Sequence, residues 1–286
     1  MRQEIIDLYD EYIKGLLDRR EFLKKLTILA GSVAAASVLL PELENSYAKA
    51  EVVAKDDPRI FTEYINYPGE TGEIRSYLAK PKEDAKLSGV IVIHENRGLN
   101  SHIEDVARRF ALEGFLAIAP DALSPLGGTP GDTDEARSMI QKLDSKVTTK
   151  NYIAAVEYLK THPQSTGNIG CVGFCWGGGM TNQLAVNSAN LAAAVPFYGM
   201  QPALEEVPKI RASLLIHYAS VDERINAGIQ AFEEALKKAS VDYKIYTYEG
   251  TQHAFFNDTN AERYNKEAAK LAWMRTIAFL KEKLKT

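Results

Sequence analysis

Cysteine is nearly absent: the 286 residues include two, Cys171 and Cys175. Four positions apart in one extended segment, they would be separated by roughly 13 Å, against the ~4.4–6.8 Å between Cα atoms that a disulfide needs. A disulfide framework is therefore excluded, and Cys171 reads as a small buried apolar residue. Neither C-x-x-C nor H-E-x-x-H occurs, so the usual zinc spacings are missing, and no metal or other cofactor is expected. Positive charge is not in excess. Lys and Arg number 34 against 38 Asp and Glu, a formal net charge of -4. Such a chain offers no basic footprint, and nucleic acid is not an expected partner. No apolar run reaches the ~18 residues of a membrane-spanning helix. Internal repeats and low-complexity tracts are also lacking. What remains is ordinary globular material, 45% hydrophobic and 25% charged, enough for one large core.

The first fifty residues differ in kind. Arg19-Arg20-Glu21-Phe22-Leu23-Lys24-Lys25 precedes an apolar stretch from Leu26 to Leu40, which Pro41 ends, and Ala48-Lys49-Ala50 follows. A basic pair, a mildly apolar run and an A-x-A site in that order look like a twin-arginine export signal. Residues 1–50 are read as that signal with its pre-region, and 51–286 as one globular domain. The expected location is periplasmic or exported, through the twin-arginine translocation machinery. An uncleaved anchor in the membrane, or residence in the cytoplasm, are the alternatives.

From Phe61 strands and helices alternate. Phe61 to Tyr67 and Ile74 to Ala79 alternate with period two about a Pro-Gly turn and read as an antiparallel edge hairpin. Gly89 to His94 is a short apolar run, as for a buried parallel strand. Further strands are expected near 115–119, 169–174, 192–197, 213–218 and 243–248. Helices are expected near 102–113, 134–143, 149–160, 225–239 and 261–284, with a Gly/Pro/Ser-rich loop over 124–132. The pattern implies an α/β fold: a mostly parallel central sheet of about eight strands with helices on both faces.

Gly173-Phe174-Cys175-Trp176-Gly177 has the form of a nucleophile elbow, G-x-S-x-G, with a thiol in the hydroxyl's place. A β-rich run leads in and a glycine-rich helix start leads out. Such a corner lifts one side chain above the end of a sheet, where a thiol awaits a base. The strand ending at Tyr218 runs on to Asp222, and the strand ending at Tyr248 runs on to His253. Both follow the elbow, in the order nucleophile, acid, histidine, and both lie at strand carboxyl ends, where open α/β sheets bind ligands. Asp222 could instead cap a following helix. Of the other histidines, His217 sits mid-strand and reads as core, while His94 adjoins the site rim and is a candidate substrate contact.

Four segments together resemble the dienelactone hydrolase family, cysteine hydrolases of the α/β-hydrolase fold. They are the elbow, Asp222 after its strand, Gly250-Thr251-Gln252-His253-Ala254-Phe255, and His94-Glu95-Asn96-Arg97-Gly98-Leu99. The likeness runs from about residue 60 to the C-terminus. It implies that Cys175 attacks a small-molecule ester or lactone to form a thioester, with His253 as base and Asp222 orienting it. Backbone N–H groups of Asn96 and Trp176 would hold the oxyanion, and Glu95 would gate the resting thiol and assist its deprotonation. The family's substrate arginines are not both matched. One place is taken by Asn257, which offers no charged fork; Arg137 and Arg97 are the other candidates for binding substrate. A less anionic ester or lactone is accordingly expected. A thioesterase or acyl transferase would use the same site, and a non-catalytic binding protein could retain the fold.

Overall fold

The computed structural model describes residues 2–13, 17–48 and 53–285. Strands β1 (Ile60–Gly69) and β2 (Gly72–Pro81) form the antiparallel hairpin, in register from Ile60 opposite Pro81 to Gly69 opposite Gly72. Strands β3 (Leu87–Ile93) and β4 (Leu116–Pro120) are buried along their whole length, as the apolar runs 90–93 and 116–120 lead one to expect. Strands β5 (Ser165–Phe174), β6 (Leu191–Phe197), β7 (Ser213–Val221) and β8 (Tyr243–Gln252) complete one sheet in the order β1-β2-β4-β3-β5-β6-β7-β8. Pairing is parallel from β4 to β8, so the hairpin occupies one edge.

Helices cover both faces. On one, α4 (Ser101–Leu112) and the C-terminal α10 (Lys266–Leu284) join a core that includes Phe110 and Trp273. On the other, α6 (Ser145–Thr161), α7 (Trp176–Asn187) and α9 (Ile229–Lys238) join a core of Tyr152, Leu159, Leu184, Phe232 and Leu236. A short α5 (Thr133–Ile140) follows the Gly/Pro-rich loop, and α8 (Glu223–Asn226) follows β7. This is the α/β-hydrolase fold expected from the sequence.

Several helix boundaries differ from expectation: α6 starts at Ser145 rather than Thr149, α5 ends at Ile140 rather than Leu143, and two larger differences follow. The segment 225–239 is not one helix: it breaks at Ala227-Gly228 into α8 and α9, although Ile225, Phe232 and Leu236 are still buried. The last helix starts at Lys266 rather than Ala261. The Asn265 side chain accepts from Ala268 N–H and caps it, while turns on Asn260 occupy the preceding residues.

Residues 3–48 form three helices, α1 (Gln3–Ile13), α2 (Arg19–Ala30) and α3 (Val33–Ala48). Asp18 caps α2 at its start, and Gly31, at φ 83, ends it. The apolar stretch is thus divided, with a 110° bend between α2 and the following segment, and Pro41 falls inside α3. No single described helix is long and apolar enough to cross a membrane. Ile5, Ile6, Leu8, Tyr9, Phe22 and Leu26 are buried in the same core as α10. Asp7 pairs with Arg275 of α10 at 2.8 Å, and Gln3 donates to the Arg275 carbonyl at 2.9 Å. The expected cleavage after Ala50 lies outside the described residues.

Candidate active site

The carboxyl ends of β3, β5, β7 and β8 converge because parallel strands finish on one edge of the sheet. Cys175 stands between β5 and α7 at φ 56, ψ -114. That is the left-handed half of the map, costly for a residue with a Cβ. The turn is held by the Cys175 N–H donating to Phe197 O and the Gly179 N–H donating to Cys175 O. Of the five non-glycine residues with positive φ among those described, three cluster here: Cys175, Tyr198 and Ala254. Strain is concentrated at the site.

Asp222 directly follows β7, and His253 directly follows β8. His253 Nδ1 lies 2.5 Å from Asp222 Oδ2. Ionised, the carboxylate can only accept, so Nδ1–H donates and Nε2 is left as the basic nitrogen. Although Asp222 occupies the position before α8, its side chain makes no capping bond. The capping alternative does not apply; the carboxylate is directed to His253 instead.

The Cys175 thiol is pushed up to about 11 by burial and by the neighbouring Glu95 charge. The N–H groups of Trp176 and Asn96, together with Arg224, pull the other way. Both N–H groups named from the sequence therefore face the sulfur. Among the described residues no hydrogen bond joins Cys175 to His253, although both line one cavity. Glu95 is the acidic neighbour that raises the resting thiol. Glu95 is buried; its Oε2 accepts from Asn257 Nδ2 at 2.5 Å, and Oε1 has no hydrogen-bond partner.

Asn257 is otherwise placed than expected. Its Oδ1 accepts from the N–H and hydroxyl of Thr259, which fixes the amide with Nδ2 toward Glu95. It holds Glu95 through one Nδ2 hydrogen, and it also lines the cavity that Cys175 and His253 share. His94 also departs from expectation: it is wholly buried beneath the site, so it is no substrate contact. His217 is a core residue bonded to Tyr248 and Thr276.

Two lobes meet at Cys175. One, of about 600 Å³, is lined by Arg97, Arg137, Arg224, His253 and Arg263. The other, of about 530 Å³, carries Ile140, Leu143, Met180, Met200 and Ile225. Arg137 and Arg224 touch both. None of the four arginines is ion-paired with another described residue. Arg224 and Arg263 were missed from sequence; Arg224, two residues beyond Asp222 in the first turn of α8, was the legible one. Tyr198 was missed too: its ring lies 5.0 Å from that of His253, and its buried hydroxyl has no partner. Among the described residues no three His, Cys, Asp or Glu side chains converge as metal ligands.

Residues 74–284 match the profile of the dienelactone hydrolase family, and residues 1–31 match a second profile described as YqhI-like. A Saccharolobus solfataricus protein named "Putative carboxymethylenebutenolidase" is 34% identical over 255 residues, covering 76% of this chain and 97% of its own. A crystal structure titled as a "Putative Dienelactone Hydrolase" from Klebsiella pneumoniae superposes with a TM-score of 0.70 at 28% identity, covering 77% of this chain and 97% of that one. A dienelactone hydrolase-like promiscuous phosphotriesterase from metagenomic libraries has a TM-score of 0.71 at 23% identity, covering 79% and 99%. That last likeness speaks to the fold alone.

Proposed function

Since the chain belongs to the dienelactone hydrolase family, we propose that it hydrolyses small carboxylic esters or lactones through Cys175, His253 and Asp222. The observation that carries this reading is the His253–Asp222 bond, which leaves Nε2 basic in the cavity that the strained Cys175 also lines.

The steps follow from the geometry. Rotation about the Cys175 Cα–Cβ bond takes the thiol from Glu95 toward His253. His253 Nε2 accepts the thiol proton as sulfur attacks the carbonyl carbon, and the C=O π pair moves to oxygen. The N–H groups of Asn96 and Trp176 stabilise that oxyanion. Collapse breaks the C–O bond, and the leaving alcohol takes the proton from His253. Water, deprotonated by His253, then attacks the thioester; the C–S bond breaks and sulfur recovers its proton. Asp222 keeps the imidazole oriented and stabilises its cation.

Four guanidiniums against two carboxylates, Glu95 and Glu262, in one lobe support a substrate with negative charge on its non-reacting part, and the apolar lobe suits a hydrocarbon portion. This revises the expectation drawn from Asn257 alone. A panel of neutral and carboxylate-bearing esters and lactones tests both points. Cys175→Ala is expected to lose at least about a hundredfold in turnover, and the anionic members to be preferred. Parent-like turnover by the variant would refute the reading.

We further propose that the chain is exported by the twin-arginine route with its helical arm retained. Arg19 and Arg20 stand exposed at the head of α2, as a receptor would require. The apolar face that follows packs on α1 and α3, which in turn rest on the chain's own α10.

A further inference from the structure

We infer that His94 is the positioning residue of the oxyanion hole: it locks the Glu95–Asn96 peptide so that the Asn96 N–H faces the reacting atoms. The hydrogen bonds around its ring allow one arrangement. Nε2 lies 3.1 Å from the Ala122 backbone N–H. A backbone N–H only donates, so Nε2 accepts. Burial holds the His94 pKa below its ordinary value, against the pull of Asp121, and a neutral imidazole carries a single N–H. That proton is on Nδ1, which lies 2.6 Å from the Glu95 carbonyl oxygen and donates to it.

The Glu95 carbonyl and the Asn96 N–H belong to one planar trans peptide unit and point in opposite directions. Holding the oxygen against His94 aims the N–H away from the ring, toward Cys175, where it acts on the sulfur. A flipped peptide would set an N–H against Nδ1–H and turn a carbonyl oxygen toward the developing oxyanion. The same ring stacks on Trp176, with centroids 5.3 Å apart and planes 14° from parallel. Trp176 supplies the other N–H, so one buried side chain braces both halves of the hole. The far side is anchored as well. The Asp121 carboxylate accepts from Leu123 N–H, Thr129 N–H and the Thr129 hydroxyl, and that hydroxyl oxygen accepts from Leu99 N–H. The segment bearing Ala122 is thereby tied to the loop bearing Asn96.

Two measurements test this. Nitrogen-15 NMR of the full chain, with the His94 signals assigned by their loss in His94→Gln, should show Nδ1 protonated and Nε2 bare. The opposite tautomer, or a doubly protonated ring at neutral pH, overturns the assignment. Turnover presupposes the thiol hydrolase proposed above. His94→Phe keeps a ring against Trp176 without donor or acceptor. Its kcat should fall about 10²–10³-fold, the usual effect of losing one oxyanion donor, with KM changed by less than about threefold. His94→Gln, with donor and acceptor on one amide, should recover at least about tenfold of that loss. A folded His94→Phe with parent kcat, or a loss confined to KM, overturns the inference, as does His94→Gln performing no better. If His94→Phe fails to fold, the NMR tautomer decides. A parent inert toward every ester refutes the hydrolase reading instead.

Discussion

Gly177→Ala offers the sharpest test of how the elbow is built. An alanine Cβ at position 177 would sit 2.4 Å from the carbonyl oxygens of both Ile93 and His94, at the end of β3. Ordinary contact begins at 3.4 Å, so α7 and the β3 end must separate by about 1 Å, and both obstacles are backbone, which yields poorly. Overpacking of this kind costs about 1–3 kcal/mol. For a chain of this size that is a fall in Tm of about 2–5 °C. The catalytic consequence is more specific. Gly177 spaces the helix bearing the Trp176 N–H from the loop bearing the Asn96 N–H, so the retreat widens the oxyanion hole. A 1 Å misplacement costs about 10²-fold in rate, and that loss is expected in kcat. Gly179→Ala is the control. Its Cβ would meet nothing closer than 3.6 Å, and alanine gains about 0.5–1 kcal/mol over glycine inside a helix. Thermal melts and steady-state kinetics on the two variants decide. Equal damage from both, or parent-like kcat in Gly177→Ala, would refute the reasoning.

Two other outcomes are expected. Burial and the Glu95 charge raise the Cys175 thiol to about 11, so iodoacetamide labelling should climb with pH up to that value. Removing the charge in Glu95→Gln lowers the pKa and leaves more thiolate at pH 8; labelling there should quicken by about three- to tenfold, and an unchanged rate would show that Glu95 does not oppose ionisation. Deleting residues 1–50 strips the buried faces of α1 and α2 and the Asp7 partner of Arg275; Tm should drop by more than about 5 °C. An unchanged Tm, with an exported protein that starts at Glu51, would refute retention of the arm.

Much of the fold was legible because it is governed by periodicity. The short apolar run read at 89–94 falls on a buried strand, and the period-two hairpin is the sheet edge. Helix ends were less legible, since they turn on single side chains such as the Asn265 cap. Within the site, Cys175, Asp222 and His253 could be named from spacing, because each follows directly on a strand. Arg263 could not, for nothing in a linear string shows that the same cavity wall draws on it; Arg224 was legible only through its nearness to Asp222.

The succession of strands and helices along the chain, the elbow, and the strand ends that carry thiol, carboxylate and imidazole were written in the sequence itself, because they depend on neighbours a few residues away. Three-dimensional packing alone decided that Asn257 holds Glu95, that His94 lies beneath the site, and that Gly177 and Gly179, alike in the string, have opposite tolerances. It also placed the N-terminal helices against α10. Each of these depends on which distant backbone oxygen or buried side chain comes within a few ångströms, and close packing settles that only once the whole chain has folded.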